Sequence, residues 1–530
     1  MGNEKLGYLI PVLHSHLPYV RHPGYSTPFL EENWLNEAIL ETYIPLINTF
    51  RNLKREGVRF KITMSFTPPL ISMLEDEYLQ ENFIKKIDML ILLANKEVKR
   101  TVYDPHLNYL SQVYLANFEE VKKVFLELDK NIINGFREFH QEGYLETITS
   151  PATHGFLPLM ESEPSSVLAQ IRIGRKVYKR TWGHDPRGIW LSECGYYPGL
   201  EKILSGEGFR YFFSDSHAID HSVPRPKFGV YAPVEIGNGV FSFGRDEESS
   251  SQVWSAKEGY PGDFRYREYY RDIGFDLDYE YIKPHLHVET IRSNTGIKYH
   301  RITGKTDYKD YYHPDWATEA CGSHAEDFLK RRIEQCRNLK NKNGQPAIIV
   351  SPYDAELYGH WWYEGPKFLE FLFKKIHFDQ NEIDTIHPMN VIALLPRVQS
   401  VKMDYSSWGE DGYSDVWLNS TNDWIYRYLL TSSVLMNEYS HKYKGTANEI
   451  FRRVLNQMAR ELLLGQSSDW AFIMKTKTMV DYAVKRTKVH INLFNELANM
   501  IKEEKIDEER LSEIEKEHPI FPDIKFEDYT

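Results

Sequence analysis

The chain has 530 residues, 42% of them hydrophobic and 26% charged, with a formal charge of −12. That length holds a large catalytic domain plus one or two smaller units, and excludes a single small module. A net negative chain without a basic stripe argues against nucleic acid as a partner, and no apolar run approaches the roughly 20 residues of a membrane span, so a cytoplasmic protein is expected.

The first strand is expected over residues 9–13. Its apolar run is short and leads into His14-Ser15-His16 rather than a small-residue cleavage site, so it reads as a strand and not a signal peptide. A helix over 33–55 and a strand over 60–65 complete a parallel βαβ opening. Residues 75–140 carry Leu, Ile and Phe at three- and four-residue steps, broken near Tyr103-Asp104-Pro105, which predicts a helical insertion. Strands are expected again over 145–149, 188–191, 211–213, 240–243 and 347–350, with helices between several of them. This alternation predicts an α/β fold, a (β/α) barrel built from 1–74 and 141–400. The stretch 250–312, rich in Tyr, Gly, Asp and Arg, is expected to be an elaborated loop over the active face. Beyond about residue 423 the pattern is helical, so 401–530 is expected to form a C-terminal helical domain.

The strand ends carry the chemistry. Ser351-Pro352-Tyr353-Asp354-Ala355-Glu356-Leu357-Tyr358-Gly359-His360-Trp361-Trp362-Tyr363 follows an apolar strand, and Trp190-Leu191-Ser192-Glu193-Cys194 follows another. An isolated carboxylate more often caps a helix or joins a surface ion pair. Two of them at strand ends among aromatics fit a nucleophile and an acid/base for glycoside chemistry. His14, His16 and His154 stand at successive strand ends. A His-x-His after a first strand also occurs in metal enzymes, which leaves a metal-dependent hydrolase or deacetylase as an alternative, and a non-catalytic carbohydrate-binding protein as a more distant one. Trp254, Arg267, Trp408 and Trp417 lie in polar, Gly-containing surroundings that favour an exposed stacking wall. Cys194, Cys321 and Cys336 show no metal or disulfide spacing, and there is no P-loop, dinucleotide fingerprint or serine elbow.

Five segments together resemble the motif regions of glycoside hydrolase family 57, in particular its α-1,4-glucan branching enzymes and related α-amylase-like members. They are His14-Ser15-His16-Leu17-Pro18-Tyr19, the run from Ser150 to Pro158, Trp190-Leu191-Ser192-Glu193-Cys194, the run from Ser351 to Trp362, and Gln466-Ser467-Ser468-Asp469-Trp470. The resemblance implies a (β/α)7 barrel with a helical insertion and a C-terminal helical domain. It implies a retaining enzyme with an α-glucan substrate such as amylose or glycogen, no metal or other cofactor, Glu193 as nucleophile and Asp354 as general acid/base, the two carboxyls about 5 Å apart. It further implies that His14, His16, Trp34, His154, Trp254, Arg267, Trp408, Trp417 and Asp469 line the glucan subsites. Two departures stand out. Ser192 replaces a usual proline, and residues 234–240 look shorter than the tyrosine-bearing loop of branching members that shields the intermediate from water, which favours hydrolysis.

Overall fold

A computed structural model describes residues 5–25, 29–255, 259–395 and 397–530. Its strands are β1 (Gly7–Ser15), β2 (Ile62–Phe66), β3 (Leu145–Ile148), β4 (Gly188–Ile189), β5 (Tyr211–Ser214), β6 (Val234–Glu235), β7 (Phe241–Gly244), β8 (Ala347–Asp354), β9 (Ile383–Thr385) and β10 (Gln399–Ser400). Two ladders, β3-β2-β1-β8 and β4-β5-β7, are parallel throughout. They meet at two seams. Ile189 bridges Thr149 in parallel beside Trp190 N–H donating to Thr149 O, and Asp246 N–H donates to Val350 O. The result is a ring of seven parallel strands, with β9 wedged against the start of β1 and β6 and β10 attached to the edge of β7.

The strands are apolar on both faces because the ring has a filled interior and a helical coat. Ile10, Val12, Ile148, Trp190, Phe213, Phe243, Ile348 and Val350 form one buried cluster, and Leu9, Leu13, Ile62, Met64 and Ile349 join another that extends into the helices. Between β2 and β3 run the helices Pro68–Leu74, Glu77–Arg100, Pro105–Glu127 and Ile132–Gln141, where the helical insertion is expected. Asp76, Asp104 and Asn131 cap three of them by accepting from backbone N–H groups of the first turn. The described part of 250–312 is mostly irregular chain, with short helical turns at Tyr260–Gly262, Ile273–Asp276, Tyr279–Ile282 and Lys283–His285. Asp272 ties them together, accepting from the N–H groups of Gly274, Thr295 and Gly296. After β10 the chain forms the helices Trp424–Lys442, Glu449–Gly465, Ser468–Thr476, Val480–Lys502 and Glu508–Glu517. Among the described residues no helix is long and apolar enough to cross a membrane.

Residues 236–240 make a tight hairpin between β6 and β7, with Ile236 N–H donating to Val240 O. They lie before the start of β7, next to Arg210, which itself precedes β5. Glu193 and Asp354 stand past the opposite, carboxyl ends of their strands. The shortness of this segment therefore bears on the end of the barrel away from both carboxyls and does not open them to water.

The helix expected over 33–55 is interrupted. Asn33–Ala38 and Ile44–Arg55 are α-helical, but Ile39–Tyr43 is a π turn. From this turn Glu41 accepts from His360 and Tyr43 donates to Glu356, both in the segment after β8. Gly359 passes so close that a Cβ there would stand 1.8 Å from Glu41 O, at a φ of +114°. Gly359→Ala is expected to destabilise the protein by about 3 kcal/mol or more and to lower Tm by several degrees in a calorimetric scan.

Candidate active site

Glu193 belongs to the turn Ser192–Cys194 just beyond β4. Its φ/ψ of +60°/25° and the φ of +51° at Cys194 are left-handed, a conformation that costs a non-glycine residue about 1 kcal/mol or more. The turn is held by Cys194 N–H to Leu191 O, Gly195 N–H to Ser192 O and Trp408 N–H to Glu193 O, at 2.9, 2.9 and 3.0 Å. Trp408 Nε1–H donates to Glu193 Oε2 at 2.8 Å, and Ser468 Oγ–H donates to Oε1 at 3.1 Å. Burial pushes the Glu193 carboxyl up to about 7, against the Trp408 hydrogen bond and with help from the charges of Asp469 and Asp354.

Asp354 closes β8 and sits in register with His14 on β1. Burial raises its carboxyl to about 6, opposed by the nearby charge of His16. Glu356 Oε1 accepts from Tyr43 Oη–H at 2.5 Å and from His16 N–H at 3.3 Å, and burial pushes it up to about 7 in spite of the Tyr43 bond. Three half-buried carboxyls at one mouth disfavour full ionisation. Trp408 Nε1–H and Ser468 Oγ–H favour the ionised form of Glu193, and no donor to Asp354 is found among the described residues. Yet burial leaves the Glu193 carboxyl above that of Asp354, so the form with Glu193 charged and Asp354 protonated is one of two singly ionised arrangements and the less populated of them. The set can attack with one carboxylate and protonate with another.

Of the residues expected to line the site, His16, Asp469, Trp408 and Trp34 surround the carboxyls or the wall beside them. His16 Nε2 meets both oxygens of Asp469 at 3.1 Å and its Nδ1 meets Thr67 Oγ1 at 3.0 Å. Burial disfavours a charge on His16, but Asp469 outweighs it and raises the imidazole above its usual range, while His16 in turn holds Asp469 low against burial. Trp34 and Trp408 pack on one cluster with Phe156, Trp417 and Trp470. Trp254 ends the helix Glu247–Trp254 and is 50% exposed.

Four expectations are corrected. Trp417 is 1% exposed and stacks on Phe156 at 4.4 Å, so it is core that supports the wall. Arg267 is buried, donating to Glu41 Oε1 at 3.0 Å and lying over the Tyr363 ring, because an unpaired guanidinium could not remain there. His14 and His154 are buried with both ring nitrogens of each engaged by protein atoms, leaving no nitrogen for a sugar hydroxyl. They stand behind the carboxylate.

Other residues of the site had no sequence signal. Tyr43 and Glu41 read as ordinary helix positions, because their partners Glu356 and His360 lie 313 and 319 residues away in the chain. Glu41 also accepts from His360 Nδ1 at 2.7 Å. Ser468 was visible only as part of a motif. Tyr269 stacks on Trp361, itself 54% exposed, at 4.5 Å, giving an aromatic surface that aromatic counting did not single out.

Two sets of side chains bring three nitrogen and carboxylate donors within 4.8 Å of one another: His16, His154 and Asp469, and Glu461, His490 and His518. In the second, Glu461 already accepts from His490 Nδ1 at 2.7 Å and His518 Nδ1 at 2.9 Å. In the first, every facing atom is in a hydrogen bond described above. Protons account for each contact, and neither set needs an ion to satisfy it.

A sequence model described as "Glycosyl hydrolase family 57" matches residues 10–404, and one described as "1,4-alpha-glucan branching enzyme, C-terminal" matches 430–529. A 1,4-alpha-glucan branching enzyme of Thermococcus kodakarensis is 34% identical over 554 aligned positions, covering 97% of this chain and 78% of that protein. Among solved structures, the alpha-amylase AmyC of Thermotoga maritima is 47% identical with a TM-score of 0.93, covering 99% of both chains. The GH57-type branching enzyme of Pyrococcus horikoshii is 34% identical with a TM-score of 0.89, covering 99% of this chain and 97% of its own.

If Glu193 is the charged nucleophile and Asp354 the protonated acid, as the motif resemblance implies, the first is lost as pH falls through the elevated carboxyl range and the second as it rises, so kcat/KM is expected to be bell-shaped and centred between about 6 and 7. Trp408→Phe removes one donor from the ionised form. It is expected to raise the acid limb and to cut kcat/KM by about 10- to 100-fold, measured across a pH series.

Proposed function

The chain belongs to glycosyl hydrolase family 57, and on that premise we propose that it is a retaining 1,4-α-glucan branching enzyme that cuts an α-1,4 bond and rejoins the released segment through an α-1,6 bond. The observation that carries this reading is the junction at Glu193. The region matching the branching-enzyme C-terminal model supplies Ser468 to Glu193 and Asp469 to His16. The nucleophile's surroundings are completed by that region.

In the first half-reaction the Glu193 carboxylate attacks C1 of a glucosyl unit. The C1–O bond breaks, its electron pair stays on the glycosidic oxygen, and that oxygen takes the Asp354 proton. A glucosyl ester on Glu193 results. In the second half, the Asp354 carboxylate removes the proton from the 6-hydroxyl of an acceptor glucan as its oxygen attacks C1 and displaces Glu193. Water in the acceptor position gives a shorter chain instead. Half-buried His16 and Trp408 limit the water around the ester.

A second reading, α-amylase-like hydrolysis, is favoured by the 47% identity to the alpha-amylase AmyC. Incubation of amylose with the purified enzyme separates the two. Proton NMR is expected to show new α-1,6 linkages well in excess of new reducing ends, whereas reducing ends without branches would establish the hydrolase. Glu193→Gln is expected to lose at least about 10³-fold in kcat. A chelator is expected to leave the rate unchanged, since metal-dependent chemistry alone would lose it.

A further inference from the structure

Glu193 is the end of a chain of hydrogen bonds that begins at Ser65 on β2, in register with His14 on β1. Ser65 Oγ lies 2.5 Å from His14 Nδ1, and His14 Nε2 lies 3.0 Å from His154 Nε2. His154 Nδ1 lies 2.9 Å from Ser468 Oγ, which lies 3.1 Å from Glu193 Oε1. Ser65, His14, His154 and Ser468 are all buried, so each depends on the next for its partner.

Between two imidazole nitrogens 3.0 Å apart there is room for one proton. With both rings neutral, that fixes the whole chain once one bond is set. When Glu193 is ionised, Ser468 donates to Oε1 and must accept from His154 Nδ1–H. His154 Nε2 is then bare and accepts from His14 Nε2–H, and His14 Nδ1 accepts from Ser65. When Glu193 carries a proton on Oε1, every bond reverses. Mixed states put two protons or two lone pairs face to face in a buried site, which is costly.

We propose that Ser65, His14, His154 and Ser468 form a directional proton relay whose tautomeric state follows the charge on Glu193, presenting a donor to the carboxylate only when it is ionised. The proposal rests on Glu193 as nucleophile for its role in catalysis, but not for its tautomers. Ser468 is a positioning residue, and His14 and His154 act through it.

The surroundings keep the relay tautomeric rather than charged. His16, whose imidazole burial lowers but Asp469 raises above its usual range, stacks on His154 at 3.9 Å and on His14 at 5.7 Å. Burial first, and this neighbouring charge next, hold both imidazoles well below their usual range. On its other side His14 stacks on Trp190 at 4.6 Å. The titratable groups facing Glu193 are His154, His16, Asp469 and Asp354. Those facing His154 are His14, His16 and Glu193.

The test uses the full chain labelled with nitrogen-15 at histidine, and long-range proton–nitrogen spectra at about pH 8 and about pH 5.5, on either side of the carboxyl titration. Signals are assigned with His14→Gln and His154→Gln. The expected result is an Nε2–H tautomer for His14 and an Nδ1–H tautomer for His154 at high pH, exchanging to the opposite pair at low pH, with neither ring doubly protonated. In Ser468→Ala the exchange is lost and the acid limb of kcat/KM moves up by about one unit, and Ser468→Thr restores both. A merely structural role for Ser468 would lower kcat at every pH and leave the limb in place. An Nε2–H tautomer of His154 at high pH, a doubly protonated ring, or an unmoved limb in Ser468→Ala would overturn the relay. Turnover retained by Glu193→Gln, with the tautomers as described in the unaltered protein, would instead defeat the nucleophile reading alone.

Discussion

The two oxygens of Glu193 meet donors that lie 215 and 275 residues further along the chain, Trp408 and Ser468. A carboxylate out of water has to be given such donors or lose its charge. Much of the fold serves that requirement. The left-handed turn after β4 presents the side chain, the segment around Trp408 closes over it, and the helix Ser468–Thr476 brings Ser468 and Asp469 to the barrel mouth. Asp354 has no comparable donor among the described residues, so two groups of the same chemical type meet different surroundings.

The segment that bears Asp354 is held by a second buried network. Glu41 accepts from Arg267 and from His360, and Tyr43 donates to Glu356. Burial works against a charge on Glu41, yet the Arg267 guanidinium brings its carboxyl down to about 2. Removing one member of such a pair strands a buried charge, which typically costs about 3–5 kcal/mol.

The ring of strands and both carboxylates were legible because each strand is a short, wholly apolar run ending abruptly in charged and aromatic residues. β6, β9 and β10 were not legible as strands. They are two or three residues long, and their pairing comes from neighbours distant in the chain. Residue type and local context also misled. Arg267 and Trp417 sit among Gly, Tyr and Asp, a composition that suggests exposure, but tertiary packing buries both. The 236–240 hairpin shows a different limit, since a segment's length is visible in sequence but the end of the barrel on which it lies is not. The hydrogen-bond chain through His14 and His154 depends on ring orientations, which no spacing encodes.

Glu193 and Asp354 belong to different halves of the ring. Glu193 follows β4, in the ladder β4-β5-β7, and Asp354 ends β8, in the ladder β3-β2-β1-β8. The halves join through backbone bonds at Thr149–Ile189–Trp190 and at Val350–Asp246 and through one shared apolar cluster. The placing of one carboxyl against the other is therefore set by side-chain packing inside the barrel and by two seams, not by the register of any single ladder.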